Sequence, residues 1–224
     1  MAIQVQGSGG IVAEVDGTGF RALRVTARPA DYGALGFYRL SMFSGTMAAA
    51  LGANSEIFQF RWPDATRFAL VQRISISAGI LAAATAAGLI ALRATIARAW
   101  SAAGSGGTRA TLTGNNQKLR SSMGTTLVND AGICTTAALT PGTKTLDAQD
   151  IGVFTTGMGT AAITALQQMV LCPPTELLDL NGPLDHPIVF AQNEGFIIRS
   201  GAAMPTAMTW HFGVNVSWGE VAAY

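Results

Sequence analysis

Charge is scarce in this sequence. Asp, Glu, Lys and Arg make up 12% of its 224 residues, where an ordinary soluble domain carries roughly 25%. Both signs are short, with 14 basic and 13 acidic side chains and a net charge of +1. That balance lacks the clustered basic excess of a nucleic-acid binder. Hydrophobic residues are 49% of the chain, which excludes the polar, highly charged composition of a disordered protein. Cysteine occurs only at Cys134 and Cys172, in no CxxC or Cys/His cluster. The chain is therefore not a disulfide-stapled scaffold, and both positions read as buried thiols rather than a bridge. Histidine is limited to His186 and His211. A targeting segment is not expected, because the start MAIQVQGSGG has neither a basic nor an apolar region of the signal type. Residues 74–92 carry no charge, a length close to that of a membrane span. They are mostly Ala, Gly, Ser and Thr, which supply little transfer energy, so no membrane partner is expected.

What the chain does hold is arginine, methionine and aromatics. Lysine occurs only at Lys118 and Lys144, so arginine supplies the other 12 of 14 positive charges. Ten Phe, four Trp, three Tyr and eight Met accompany only five Glu. Arg, Met and aromatics are enriched in protein interfaces, while Lys and Glu are depleted there. A GC-rich genome also favours Ala, Gly and Arg codons, but it need not remove Glu. A surface this poor in charge favours self-association.

The pattern along the chain is that of short strands between turns. Residues 1–30 alternate β-prone runs (Ile3, Val5, Ile11, Val12, Val15, Leu23, Val25) with Gly-rich breaks, and read as an extended arm ending at Arg28-Pro29. Residues 31–224 read as one body. Strands are expected at 37–43, 57–62 and 68–77. Residues 89–100 fit a helical stripe and a period-two strand about equally. The strand is favoured, paired in a hairpin with the segment before it. A polar loop is expected at 114–124, then β-prone sequence at 125–139 up to the turn Pro141-Gly142. Residues 143–153 read as a strand, 155–160 as a loop, and 161–169 as a short helix or edge strand ended by Pro173-Pro174. The clearest signal lies at the C-terminus. Met208, Trp210, Phe212, Val214, Val216 and Trp218 occupy every second position, with Thr209, His211, Gly213, Asn215, Ser217 and Gly219 between them. Six successive period-two matches mark a long strand with one buried face. The fold class expected is all-β: an antiparallel, jelly-roll-like β-sandwich with an extended N-terminal arm.

No catalytic constellation is legible. His211 lies mid-strand on the polar face and His186 precedes a proline, which suits surface or capping roles better than catalysis. Gly-x-Ser-x-Gly is absent. The glycines at 17–19 and 152–157 resemble phosphate loops only in spacing, without the helix or Lys-Ser/Thr such loops need. Asp179, Asn181, Asp185 and His186 are the best local donor group, yet the spacing of a calcium loop is missing, and a surface turn fits them better. Glu176 and Asp179 could line a carbohydrate site, but no spacing supports a paired-carboxylate mechanism. No catalytic residue, cofactor or metal is therefore expected.

Several segments resemble small structural proteins of tailed bacteriophages. They are ARPADYGALGFYRLSMFSGTMAAALGANSEIFQFRW (27–62), SGGTRATLTGNNQKLRSSMGTTLV (105–128), the LTPGTKTLDAQ turn and the ending PIVFAQNEGFIIRSGAAM…TWHFGVNVSWGEV. The resemblance follows the chain in order after residue 27 and implies a virion component made in the host bacterial cytoplasm. The leading expectation is a non-enzymatic capsid decoration, or cement, protein. It would be a homo-oligomer, with a trimer favoured, whose residues 1–30 clamp the major capsid protein or other virion subunits without touching nucleic acid. A tail or head–tail connector subunit is the alternative. A fiber-associated carbohydrate-binding module is a further one, with Trp62 and Trp100 as its stacking candidates.

Overall fold

The computed structural model describes residues 15–16, 22–23, 36–47, 51–82, 88–158, 170–180, 185–205 and 208–222. Within them every regular element is a strand: β1 (Val15–Asp16), β2 (Ala22–Leu23), β3 (Phe37–Phe43), β4 (Glu56–Trp62), β5 (Phe68–Ala82), β6 (Gly88–Ala102), β7 (Thr108–Arg109), β8 (Asp130–Ile133), β9 (Thr143–Met158), β10 (Val170–Asp179), β11 (Ile188–Phe190), β12 (Glu194–Ser200) and β13 (Thr209–Val221). Two antiparallel sheets pack face to face as a sandwich. The five-stranded sheet runs β10-β5-β13-β3, with β11 sharing the β10 edge of β5. The six-stranded sheet runs β7-β8-β4-β12-β6-β9.

Alternation builds the core. On β13, Trp210, Phe212, Val214, Val216 and Trp218 are buried while the residues between them are half-buried. On β4, Phe58, Phe60 and Trp62 point inward from the opposite sheet. An aromatic spine crosses the sandwich. Tyr38 stacks on Trp218 at 5.6 Å, Trp218 meets Phe60 edge-on at 5.2 Å, and Phe60 stacks on Phe196 at 5.4 Å. Full burial of each such side chain contributes about 1.5–3 kcal/mol or more before ordering costs, so these layers dominate cohesion.

One end of the sandwich is closed by the polar loop after β7. Glu220 lies buried at the inner side of β13. Its carboxylate accepts hydrogen bonds from the Thr126 hydroxyl, the Leu127 amide (3.1 Å) and the Trp218 indole (3.2 Å). The Tyr38 hydroxyl donates to the Gly124 carbonyl at 3.0 Å. Burial pushes the Tyr38 phenol up to about 12, with the nearby Glu220 charge adding to it.

Three expectations need correction. Residues 88–102 are a strand, but not the partner of the strand before them. β5 pairs with β10, β11 and β13, whereas β6 pairs with β12 and β9 in the other sheet. Both edges of β5 are taken, by β13 on one side and by β10 and β11 on the other, so the chain crosses and β6 pairs in the opposite sheet. Residues 155–158 belong to β9 rather than to a loop. Pro173-Pro174 lies within β10 instead of ending an element. A proline pair is tolerated there because β10 is outermost and its register slips between Cys172 and Thr175, where ladder donors are not required.

Of the expected arm, only the β1–β2 pair is described, with Val15 opposite Leu23 and Asp16 opposite Ala22. The rest of residues 1–30 and the segment 161–169 lie outside the described residues. Among the described residues no helix is long and apolar enough to cross a membrane.

Candidate functional site: the outer faces of the two sheets

Each sheet turns its second face outward, and the two faces differ in chemistry. The outer face of the six-stranded sheet carries linked ion pairs. Asp150 on β9 accepts from the Thr95 hydroxyl at 2.6 Å and from Arg199 at 3.2 Å, with Arg93 at 3.5 Å. Arg98 reaches Asp147 at 2.9 Å and Glu194 at 2.7 Å. Asp130 on β8 lies between Arg109 at 3.1 Å and Arg61 at 3.7 Å. Arg61, Arg93 and Arg199 alternate with inward residues on β4, β6 and β12, while Arg98 joins them at the β6 register slip and Arg109 from β7.

The deepest part of this layer is a Lys–Glu–Gln–Arg cluster. Lys144 and Glu56 form an ion pair of 2.8 Å with side chains only 2% and 5% exposed. The Lys144 ammonium stands 4.5 Å from the centre of the Trp100 ring and also donates to the Pro141 carbonyl. Gln59 is fully buried; its amide nitrogen donates to Glu56 at 2.7 Å and to the Thr140 carbonyl at 2.9 Å. Its amide oxygen accepts from both terminal nitrogens of Arg109 at 3.4 Å. Burial holds the Lys144 ammonium below the usual lysine range, although Glu56 pulls the other way.

Local backbone makes room for this cluster. Ala99 takes a left-handed φ of 48°, and the β6–β9 register slips between Arg98 and Ala102. That bulge folds Trp100 over Ala97, Ile197 and Leu146 as a small second apolar cluster. Gly104 lies directly against Gln59 and the Thr140 carbonyl, where any Cβ would collide with both.

The outer face of the five-stranded sheet holds small neutral groups at its centre, with Arg39 and Arg73 flanking Ser217 in the next row. Ser41, Asn215 and Ser75 lie side by side on β3, β13 and β5. The Ser41 hydroxyl donates to Asn215 at 2.7 Å, and the Asn215 amide donates to Ser75 at 3.3 Å. Gly213 and Ser77 extend the row. At one end Phe43 is 66% exposed, with its ring 5.0 Å from that of His211. Glu176 continues the Ser75 row on β10 and accepts from Arg73 Nε at 2.7 Å.

The sequence candidates fall as follows. His211 packs on Phe43 and over Gly79. His186 engages the carbonyl of its own proline at 2.7 Å. Asp179 closes β10 opposite Arg73, Asn181 lies outside the described residues, and Asp185 is exposed. Among the described residues no group of three or more His, Cys, Asp or Glu is placed to hold a metal. Glu176 is occupied by Arg73. Trp62 and Trp100 are both fully buried and offer no face to a sugar. Gly152 and Gly157 lie within strand β9, not in a phosphate loop. Cys134 is a free, buried thiol 3.1 Å from the Met47 sulfur, and burial pushes it up to about 12. The side chain of Cys172 is outside the description.

No family model matches this chain, and no curated protein matches it either.

Sequence reading alone did not find the Lys144 cluster. Its one available signal was the rarity of lysine, with Lys144 set between two threonines in a strand-like run. Its partner Glu56 is remote in sequence, and only the sheet order brings them together.

Proposed function

We propose that this chain is a non-enzymatic structural subunit of a tailed-phage particle, most simply a capsid decoration protein. The observation that carries the reading is the outer face of the five-stranded sheet, where small groups bond one another across β3, β13 and β5 and Phe43 stands exposed beside them. Such a face loses little on desolvation, because its polar groups already bond one another and its side chains have little entropy to give up. The phage-like segments at 27–62 and 105–128 and the scarcity of charge point the same way. The protein works as a homo-oligomer, preferably a trimer, in which one patch repeats around an axis. Residues 1–30 add strands to neighbouring shell subunits through backbone hydrogen bonds. Each ~1,000 Å² of apolar burial contributes ~25 kcal/mol gross, before ordering costs, against shell expansion.

The test is binding of the purified full-length chain to undecorated phage heads, scored by sedimentation. A variant lacking residues 2–27 should lose binding while keeping the circular dichroism of the body. Full binding by that variant would end the clamp reading. Stable association with tails in place of heads would move the protein to the connector class.

A further inference from the structure

Lysine is rarely buried so completely, and here the buried amine, a carboxylate and a carboxamide meet in one site. Glu56 Oε2 accepts from Lys144 Nζ at 2.8 Å and from Gln59 Nε2 at 2.7 Å. One carboxylate oxygen thus touches both a nucleophile and a leaving group. On the far side of the carboxamide, Arg109 directs two N–H groups at Gln59 Oε1, where negative charge would develop during attack on Cδ. The amide orientation is fixed by this network: its NH2 faces the Glu56 and Thr140 oxygens, and its oxygen faces a cation. Gly104 packs against the Gln59 amide and the Trp100 ring covers the Lys144 ammonium, leaving the Lys144 and Glu56 side chains almost wholly buried. An ion pair alone needs neither the carboxamide on the same oxygen nor the guanidinium behind it.

We propose that Lys144 and Gln59 join in an intramolecular isopeptide cross-link, with Glu56 as the proton carrier and Arg109 as the group that polarises the carbonyl. Lys144 first passes a proton to Glu56. The neutral amine then adds to Gln59 Cδ, and the oxygen that becomes negative faces Arg109. The carbon–nitrogen bond of the old amide breaks, its nitrogen takes protons relayed through Glu56, and ammonia leaves. The new amide keeps one N–H and Glu56 ends neutral, so no unpaired charge stays buried. No oxidant, metal or cofactor enters the balance. Apolar surroundings favour each part of this, since they disfavour the charged amine and strengthen the pull of Arg109 on the carbonyl. The product ties β4 to the edge strand β9, which strand pairing alone leaves free on one side.

The experiment is mass spectrometry of the denatured full-length chain, followed by peptide sequencing after proteolysis. The expected result is a mass one ammonia below the sequence mass and a branched peptide joining Gln59 to Lys144. Glu56→Gln, which keeps the shape of the site but cannot carry the proton, should show the full mass, as should Lys144→Arg. A wild-type chain that keeps its full mass and a free Lys144 after days folded at neutral pH overturns the proposal. Loss of one water with the branch at Glu56 overturns it as well, because the acceptor would then be the wrong residue.

Discussion

The two outer faces begin from the same geometry and end in opposite states. On both sheets every second side chain points away from the core. On the six-stranded sheet those positions hold Arg61, Arg93, Arg98, Arg109 and Arg199, each paired with a carboxylate of another strand. On the five-stranded sheet they hold Ser41, Ser75, Ser77, Gly213, Asn215 and Ser217, with Arg39 exposed beside them and Arg73 paired to Glu176. The first face is cross-braced: its charges stabilise strand order within the chain and resist further desolvation by a partner. The second has small groups bonded to one another at its centre and fewer charges around them. One face is joined by charge pairs between strands, and the centre of the other by hydrogen bonds between small neutral groups.

The sharpest way to break this contrast is to strand a charge in the braced face. Against wild-type chain of full mass, in which the ion pair is still intact, Lys144→Met leaves Glu56 buried without its cation and should lower stability by about 3–5 kcal/mol in urea melts. Adding Glu56→Leu to it should recover much of that loss, because the desolvation cost then disappears from both partners. A double variant no better than the single one would mean that the cluster's worth lies in its wider network.

The next effect concerns pH. Burial pushes Asp150 up, but the Thr95 hydroxyl, Arg199 and Arg93 outweigh it and hold the carboxyl below its ordinary value of 3.8. A carboxyl depressed in the folded state stabilises fully above its unfolded value, and that contribution is lost as pH falls through the folded value. Glu220 has the opposite sign. Burial raises it above its ordinary 4.5, even against the Thr126 and Trp218 hydrogen bonds. Its contribution is full below the unfolded value and is lost as pH rises through the folded one. Asp150→Asn should therefore lower the neutral-pH stability by about 1.5–3 kcal/mol, the range for hydrogen bonds to a charged group. It should also flatten the acid side of the melting-temperature curve. Glu220→Gln should lift the neutral side relative to the acid side. Equal slopes in both variants would remove the assigned signs.

How far the sequence discloses this contrast depends on the range of the interactions. β13 was legible because its alternation is local and long, and Trp210 to Trp218 indeed line the core. The strand at 88–102 was legible as a strand, but its sheet was not: pairing with β9 and β12 rather than β5 is a choice among distant partners. Pro173-Pro174 misled because proline forbids a central strand, and whether a strand is central cannot be seen in one segment. The neutral face was half visible in the small residues of β13. The braced face was hidden, since Asp150 meets Thr95 and Arg199 only through sheet order. Trp62 and Trp100, at strand ends in the sequence, are buried because the loops and the bulge near Ala99 cover them.

A smaller effect separates exposed from buried pairing. Arg73 and Glu176 are the ion pair of the neutral face, with side chains 44% and 32% exposed. Water screens such a pair, so Arg73→Ala should leave the melting temperature within error of wild type at physiological salt. A clear drop would show that the neutral face is braced too, and would weaken the contrast between the sheets.

The smallest effect on stability is expected at Phe43, where it should coincide with the largest effect on association. Its ring is mostly in solvent and touches His211. Phe43→Ser should change the unfolding free energy by no more than about 0.5 kcal/mol, the usual range for surface substitutions. An aromatic group exposed beside small neutral groups is the kind of anchor that dominates protein contacts. The same substitution should therefore weaken self-association in concentration-dependent light scattering, or binding to undecorated heads in sedimentation, at least tenfold. The two readouts have to part company for the face to be an interface. If stability falls together with binding, Phe43 is a structural residue of the sheet edge. If neither changes, the contact surface lies elsewhere on the sandwich, and the neutrality of this face reflects only the scarcity of charge in the chain.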